Sequence, residues 1–303
     1  MNSTEHYPTP AQVDAWLEGI WRDSNGMECK AELLENRGWT GSYGIRHMRD
    51  SRYVRFTPSS STPFYGYWQP APSQPAPLLV HTPGYGAEIS AHPDLVMSGF
   101  NVLHINPLGY LTPEGEDASK RRGDTWPVGE DTLLSGGAHG YRDWFSQCVL
   151  AINWAWSQDS VLGDRVSFFG TSQGGGASIL LGSLFKDRGV RCVAADVPWM
   201  VDFLAQNERG SIPKIRDIIE SMEDPINGWH ALGLIDSMSH ARRLRLPVML
   251  TAGSEDETCP PYTIESLFEA LPNTKLYCKL EGQGHAYTQE FIALATSWFR
   301  LYA

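Results

Sequence analysis

Residues 165–176 read RVSFFGTSQGGG and contain the pattern G-x-S-x-G at positions 170–174. The apolar run at 165–169 predicts a buried strand, and the pattern at 174–186 predicts a helix. A serine in a sharp turn between a strand and a helix is typical of a nucleophile elbow, which exposes the hydroxyl at the helix N-terminus. The alternative is an ordinary glycine-rich turn in which Ser172 only caps the helix. The setting of the motif favours Ser172 as a nucleophile.

Short apolar runs and helical patterns alternate on both sides of this motif. Such alternation predicts an α/β protein with a doubly wound, mostly parallel sheet. The predicted strands lie at 78–82, 100–105, 165–169, 191–195, 247–251 and 275–280, and the predicted helices lie at 140–157, 174–186, 262–271 and 287–301.

We expect one domain over residues 1–303. Thr9-Pro10 predicts the start of an N-terminal helix, because proline is favoured at the first helical position. Short strands are predicted within 51–69, and the whole segment up to residue 76 is expected to pack on the main body. One long interruption, at 198–242, separates two predicted strands. It predicts a cap or lid over the carboxyl edge of the sheet, where such sheets bind ligands.

Candidates for a base and an acid follow two later strands. A nucleophilic serine needs a base, and the base needs an orienting acid; in this arrangement the chain order is Ser, Asp or Glu, then His. Glu255 and Asp256 both follow the strand at 247–251, and His285 follows the last strand. All three therefore emerge at the sheet edge that carries Ser172. Adjacent positions barely separate Asp256 from Glu255 as the acid.

Two backbone N–H groups are candidates for an oxyanion hole. One is that of Gln173, directly after the nucleophile, and the other is that of Tyr85 in the loop after the strand at 78–82. A plain turn at Gly84 is the alternative for this loop. Gly84, Trp199 and Tyr287 are candidates for the substrate pocket, together with Tyr85. The alternative for the aromatic residues is an ordinary role in the core.

Composition excludes several classes of partner. The net charge of the 303 residues is −11, from 35 acidic and 24 basic residues, and no basic run occurs. Nucleic acids and anionic membranes are therefore not expected as partners. The N-terminus has neither a basic region nor an apolar region typical of a secretory signal, and no apolar stretch is long enough to span a membrane.

The five cysteines indicate reduced thiols rather than a disulfide framework. Their number is odd and their spacing is irregular, which predicts a cytoplasmic protein. No C-x-x-C or H-E-x-x-H pattern occurs, so we expect no metal site. Acyl transfer by a serine, a histidine and an acid needs no cofactor, and none is expected. The cysteines are Cys29, Cys148, Cys192, Cys259 and Cys278.

Several segments between about residues 64 and 295 together resemble the acetyl xylan esterase / cephalosporin C deacetylase family, carbohydrate esterase family seven. The similar segments are 170–176 with its G-x-S-Q-G-G elbow, Gly84-Tyr85 with its H-G-Y segment, Tyr141-Arg142 with its helix start, Asp196 to Trp199 with its D-x-P-F segment, 235–248 with its F-D…N-A-x-x-I…P-V stretch, and Asp256 to Pro261 with its D-x-x-C-P-P acid loop.

This resemblance implies an α/β-hydrolase fold with Ser172, His285 and Asp256 as the catalytic triad. It favours Asp256 over Glu255, and it implies Tyr85 as an oxyanion donor and a homo-oligomeric assembly. Two departures indicate a divergent relative. The R-G-Q-G motif of the family is replaced by Asn106-Pro107-Leu108-Gly109, and its terminal H-E is His285-Ala286 here.

The expected function is that of a serine carboxylesterase acting on small-molecule esters of short acyl chains, acetyl esters above all, with sugars among the candidate alcohols. A second hypothesis is a peptidase of the prolyl-oligopeptidase type, which shares the order of the triad. Such peptidases carry a large propeller domain, for which 303 residues leave no room. A third hypothesis is a non-catalytic binding module, against which an intact Ser, Asp and His argue.

Overall fold

The computed structural model describes residues 3–35, 50–85, 90–106, 111–116, 140–206 and 210–303. The strands in these ranges are β1 (Cys29–Leu33), β2 (Arg52–Pro58), β3 (Phe64–Gln69), β4 (Ala76–Thr82), β5 (Asn101–Asn106), β6 (Leu111–Thr112), β7 (Gly115–Glu116), β8 (Val161–Thr171), β9 (Val190–Asp196), β10 (Val248–Gly253) and β11 (Lys275–Leu280).

Helices follow most of these strands and cover both faces of the sheet. They are α1 (Pro10–Asn25), α2 (Pro93–Met97), α3 (Tyr141–Trp156), α4 (Gln173–Leu184), α5 (Ile212–Ser221), α6 (Pro225–Ile235), α7 (Ser237–His240), α8 (Pro261–Ala270) and α9 (Gln289–Tyr302), with 3-10 helices at Ser3–His6 and Ala241–Arg243.

Nine of the described strands form one sheet in the order β1-β2-β3-β5-β4-β8-β9-β10-β11. The strands from β5 to β11 in this order pair in parallel, and β1, β2 and β3 extend the sheet with antiparallel pairing. From β4 the chain first crosses to β5 on one side, then returns to β8 on the other. The carboxyl ends of β4 and β8 therefore flank the point where the strand order reverses, which is where open α/β sheets bind ligands.

Successive strand residues face two separate apolar layers, because side chains of a strand alternate between the faces of a sheet. Leu78, Val80 and Phe168 belong to the larger core on the side of α1, α3 and α4. Leu79 and Phe169 belong to the second core, beneath α2 and α9. Both faces of the central strands are buried, which explains their nearly continuous apolar sequences.

Helix α1 begins at the residues that predicted it. The Thr9 side chain accepts a hydrogen bond from the Gln12 N–H, the Gln12 side chain accepts one from the Thr9 N–H, and Pro10 occupies the first turn. This reciprocal pair satisfies N–H groups that have no partner inside the helix. The helix buries Val13, Leu17 and Ile20 in the larger core, with α3 as its main neighbour.

The segment at 198–242 connects β9 to β10 and contains α5, α6 and α7. Asp236 fixes part of it: its carboxylate accepts hydrogen bonds from the backbone N–H groups of Asp202 and Phe203, and from the hydroxyl of Tyr7 near the N-terminus. Burial raises the pKa of Asp236 to about 6. The action of this segment as a lid stays a prediction.

Two parts of the fold differ from the sequence-based expectation. Strand β1 at the sheet edge was not predicted, because its residues are mostly exposed and lack an apolar alternation. The hairpin of β6 and β7 has only two residues in each strand, which is too short for a periodic pattern. All five cysteines are free thiols, and none of the helices in the described ranges is long and apolar enough to cross a membrane.

Candidate active site

Ser172 occupies a strained turn between β8 and α4. Its backbone φ is 58° and its ψ is −120°, a region that residues with a side chain rarely adopt. Three hydrogen bonds hold this turn: the Ser172 N–H donates to the Asp196 carbonyl at 2.9 Å, and the Ser172 carbonyl accepts from the N–H groups of Gly176 and Trp199 at 3.1 and 2.9 Å. The strain presents the Ser172 hydroxyl above the carboxyl edge of the sheet.

Glycines after Ser172 permit the close approach of three chain segments. A Cβ atom on Gly174 would lie 1.9 Å from the backbone oxygen of Thr82, and one on Gly176 would lie 2.0 Å from the backbone oxygen of Trp199. Neither neighbour is a side chain that could rotate away. The glycine run of the sequence is therefore required for α4 to pack against β4 and against the segment after β9.

The Ser172 hydroxyl meets His285 and Asp256 in a continuous chain of hydrogen bonds. The Oγ of Ser172 lies 2.9 Å from Nε2 of His285, and Nδ1 of His285 lies 2.8 Å from Oδ2 of Asp256. A carboxylate only accepts hydrogen bonds, so Nδ1 carries the proton and Nε2 offers its lone pair to the serine hydroxyl. This is the tautomer that general-base catalysis by His285 requires.

Asp256 is held rigidly, whereas Glu255 is exposed. The Asp256 side chain is buried, and its Oδ1 accepts hydrogen bonds from the backbone N–H groups of Thr258 and Cys259, both at 2.8 Å. These two bonds leave Oδ2 directed at His285. The geometry thus distinguishes the two adjacent acids, which the order of residues alone could not do.

The two candidate oxyanion donors lie beside Ser172. Gln173 begins α4, and the first N–H groups of a helix have no partner within that helix. The side-chain amide of Gln173 donates a hydrogen bond to the Tyr141 hydroxyl at 2.9 Å. The loop after β4 approaches the elbow closely, since a Cβ on Gly84 would lie 3.7 Å from the Ser172 Cβ. The Tyr85 and Gln173 N–H groups remain predictions as oxyanion donors.

A cavity of about 400 Å³ opens over Ser172. Every residue predicted for the pocket lines it. Trp199 is buried, and its indole N–H donates to the Ser211 hydroxyl at 2.7 Å, which fixes the ring. The lining comprises Gly84, Tyr85, Thr171, Ser172, Gln173, Trp199, Ser211, Thr258, His285, Ala286 and Tyr287. Tyr85 and Tyr287 are half exposed, at 47% and 48%, and therefore border its mouth.

Asp196 is a buried acid beside the site, and its position in the sequence predicted no role for it. It ends β9, and its carboxylate accepts hydrogen bonds from the hydroxyls of Thr171, which ends β8, and of Thr251, which lies near the carboxyl end of β10. Burial raises its pKa to about 6, although both hydroxyls act in the opposite direction. It ties together the three strand ends that carry the elbow and the acid loop. Polar residues at the ends of three consecutive strands were the available signal.

Two groups of described side chains have metal-ligand chemistry. The first comprises His81, His92 and His104, which are fully buried; burial lowers the pKa of each, to about 3 for His92. Nδ1 of His81 and Nδ1 of His104 lie 2.7 Å apart, a hydrogen bond between neutral rings. The second group adds Cys259 to Asp256 and His285. Burial raises the pKa of the Cys259 thiol well above its ordinary value.

Comparison with known proteins identifies relatives over nearly the whole chain. The family model described as acetyl xylan esterase (AXE1) matches residues 53–301. The acetyl esterase Axe7A of Xylanibacter ruminicola is 28% identical over 211 residues, which are 66% of this chain and 47% of the relative. The match therefore spans about half the length of that curated relative.

Solved structures show the same fold. Acetyl xylan esterase 1 from a Thermoanaerobacterium species has a TM-score of 0.76 at 22% identity and covers 98% of this chain and 95% of its own. An acetyl xylan esterase from a Paenibacillus species has a TM-score of 0.76 at 17% identity, with 99% and 98% covered. The acylaminoacyl peptidase of Pyrococcus horikoshii has a TM-score of 0.63 at 15% identity, with 82% and 41% covered. The predicted α/β-hydrolase fold is confirmed.

Of the two departures from the family pattern, the structure describes one in full and the other only at its first residue. Asn106 ends β5 and is buried, but the rest of that replacement, Pro107-Leu108-Gly109, lies outside the described residues. Ala286 lines the cavity directly after His285, where the family has a glutamate.

Proposed function

The chain belongs to the acetyl xylan esterase family, and from this membership we propose that it is a serine carboxylesterase that cleaves esters of short acyl chains, acetyl esters above all. The observation that carries the proposal is the unbroken chain of hydrogen bonds from Ser172 through His285 to Asp256. A strained serine, a correctly oriented imidazole and a buried carboxylate are the parts that acyl transfer requires.

The proposed reaction has two steps. In the first, the Ser172 oxygen attacks the ester carbonyl while Nε2 of His285 takes the hydroxyl proton. Asp256 keeps the imidazole oriented and stabilises its positive charge. His285 then gives the proton to the departing alcohol, which leaves an acyl group on Ser172. In the second step water attacks this acyl-enzyme with the same proton transfers and releases the acid.

Negative charge develops on the carbonyl oxygen during both attacks. The N–H groups of Gln173 and Tyr85 are the proposed donors to this oxygen. Fixed donors of this kind are among the largest contributions to acyl-transfer catalysis, at about 3–4 kcal/mol for one donor. The partial positive charge at the N-terminus of α4 acts in the same direction.

The walls of the cavity support the proposed preference for short acyl chains. Trp199 is fixed by its hydrogen bond to Ser211 and packs edge-on against Phe203, with ring centroids 5.3 Å apart. A buried and immobile indole limits the length of the acyl group. The alcohol part of the ester would leave through the mouth of the cavity beside Tyr85 and Tyr287. A sugar ring there could pack against the exposed tyrosine rings. Acetylated sugars are therefore the natural alcohols to test.

The test measures kcat/KM for p-nitrophenyl esters from acetate to octanoate at fixed pH, beside acetylated sugars and a peptide p-nitroanilide. We expect the rate to be highest for acyl groups of two to four carbons and to be lost in Ser172→Ala, with kcat lower by on the order of 10⁴-fold or more. A steady rise of kcat/KM to octanoate would contradict the short pocket. Turnover of the anilide but not of the esters would favour the peptidase. A cytoplasmic location and a homo-oligomer stay predictions.

A further inference from the structure

Cys259 stands beside the proposed triad without a part in the proposed reaction. Its thiol, the carboxylate of Asp256 and the imidazole of His285 place one ligand atom each within 4.8 Å of one another. We call these three residues the Asp–Cys–His cluster. The backbone fixes this proximity, because the Cys259 N–H donates to Asp256 Oδ1 at 2.8 Å. The Cys259 thiol therefore lies in the buried loop that carries Asp256, and not at the exposed mouth of the cavity.

The donors of the Asp–Cys–His cluster match one class of cation. Thiolate, imidazole and carboxylate are the ligands that Zn²⁺ takes in proteins, at about 2.3 Å for sulfur and about 2.0–2.2 Å for nitrogen and oxygen. One thiolate and one carboxylate together balance the charge of a dication. By contrast, the cluster of His81, His92 and His104 offers three neutral rings in an apolar layer, so a dication there would be buried without a counter-charge.

A cation has a route to the Asp–Cys–His cluster. Cys259 is 1% exposed and Asp256 is 3% exposed, but the His285 side chain is 28% exposed and lines the 400 Å³ cavity. Solvent and cations can therefore reach the Asp–Cys–His cluster only through the cavity, on the side where His285 is exposed. Ligand atoms of a tetrahedral zinc site lie roughly 3.3–3.8 Å apart, so movements of about 1 Å convert the present arrangement into a ligand set.

We propose that the Asp–Cys–His cluster is an inhibitory site for Zn²⁺ and similar thiophilic divalent cations. On binding, the S–H bond of Cys259 breaks, its proton passes to solvent, and a metal–sulfur bond forms. The His285 proton moves from Nδ1 to Nε2, so that Nδ1, which lies beside Oδ2 of Asp256, gives its lone pair to the metal. The imidazole can then no longer take the proton of Ser172. The inhibition rests on the proposed esterase function, whereas the binding of the metal does not.

The first experiment titrates ZnCl₂ against ester hydrolysis by the wild type, by Cys259→Ser and by Cys278→Ser, each compared with its own rate without zinc. Cys278, on β11, is the matched control because it is a partly buried thiol outside the cluster. We expect the wild type and Cys278→Ser to lose activity at the same zinc concentration and to recover it with a chelator. Cys259→Ser should need at least tenfold more zinc. Equal sensitivity of the Cys259 and Cys278 variants would overturn the proposal.

A second experiment does not depend on activity. Cd²⁺ or Co²⁺ is added to Ser172→Ala and to the double variant Ser172→Ala/Cys259→Ala, and the thiolate-to-metal charge-transfer absorption is recorded. We expect one equivalent of metal to produce the band in Ser172→Ala and none in the double variant. Absence of the band in Ser172→Ala overturns the metal site. A Cys259-dependent band in Ser172→Ala, together with a wild-type protein that hydrolyses none of the esters, would support the metal site and contradict the esterase function.

Discussion

Replacing Asp256 with asparagine tests whether the chain of hydrogen bonds works as its geometry suggests. The Oδ1 atom of Asp256 accepts from two backbone N–H groups, those of Thr258 and Cys259. In Asp256→Asn the amide oxygen must keep this position, because an NH₂ group there would face two other donors. Leaving such buried groups unsatisfied costs about 1–3 kcal/mol each. The amide NH₂ is therefore forced toward Nδ1 of His285.

This orientation reverses the tautomer of His285. Nδ1 would have to accept from the amide, so the proton moves to Nε2, which lies 2.9 Å from the Ser172 Oγ and could no longer take its proton. The corresponding change in a serine protease lowers kcat about 10⁴-fold, which corresponds to about 5.5 kcal/mol of transition-state stabilisation. We expect a loss of this size with little change in KM, since the substituted atom does not line the cavity.

The assay is p-nitrophenyl acetate hydrolysis, with the unfolding midpoint in urea measured for each variant to show that it is folded. Glu255→Gln is the matched control because Glu255 is the adjacent acid and is exposed; it should stay within about twofold of the wild type. A folded Asp256→Asn enzyme within tenfold of the wild-type kcat would refute the reasoning. A larger loss in Glu255→Gln than in Asp256→Asn would move the acid to Glu255.

Three further predictions concern the pocket, the elbow and acid stability. Trp199→Ala should lengthen the acyl end of the cavity. If two more methylenes of the acyl chain become buried, at about 0.8 kcal/mol each, the ratio of kcat/KM for octanoate to that for acetate should rise about 15-fold. An unchanged ratio would show that Trp199 does not limit the acyl length. Gly174→Ala should lower the free energy of unfolding by about 1–3 kcal/mol or more in urea titrations, because its Cβ would collide with the Thr82 backbone. The control Gly163→Ala, with no atom within 4 Å of the new Cβ, should be nearly neutral, and equal effects of the two variants would contradict the close packing around Gly174. Burial lowers the pKa of His92 from its ordinary value of 6.5 to about 3. Between these pH values the unfolded chain binds more protons than the folded chain, so the free energy of unfolding falls as the pH decreases, by about 1.4 kcal/mol per pH unit. His92→Gln should remove this contribution from the slope of unfolding free energy against pH, and an unchanged slope would show that His92 is not buried in the neutral form.

The sequence predicted the central sheet because its signals are local. Each parallel strand is a short apolar run covered on both faces, and the helices between them carry periodic patterns, so β10, for example, begins within a residue of its predicted start. The elbow was equally visible, since G-x-S-x-G needs its strand, turn and helix in immediate succession. Strand β1 was not visible, because an exposed edge strand buries too little to impose a pattern.

By itself the sequence determined which residues could act, since chain order restricts a nucleophile, an acid and a base to the ends of particular strands. The tertiary structure alone decided which of them meet. Asp256 faces His285 and Glu255 faces solvent because two backbone N–H groups of their own loop hold the Asp256 carboxylate. Asp196 joins three neighbouring strands through contacts between residues up to 55 positions apart. Such contacts leave no periodic trace in a sequence, because they depend on the order in which distant strands pack together.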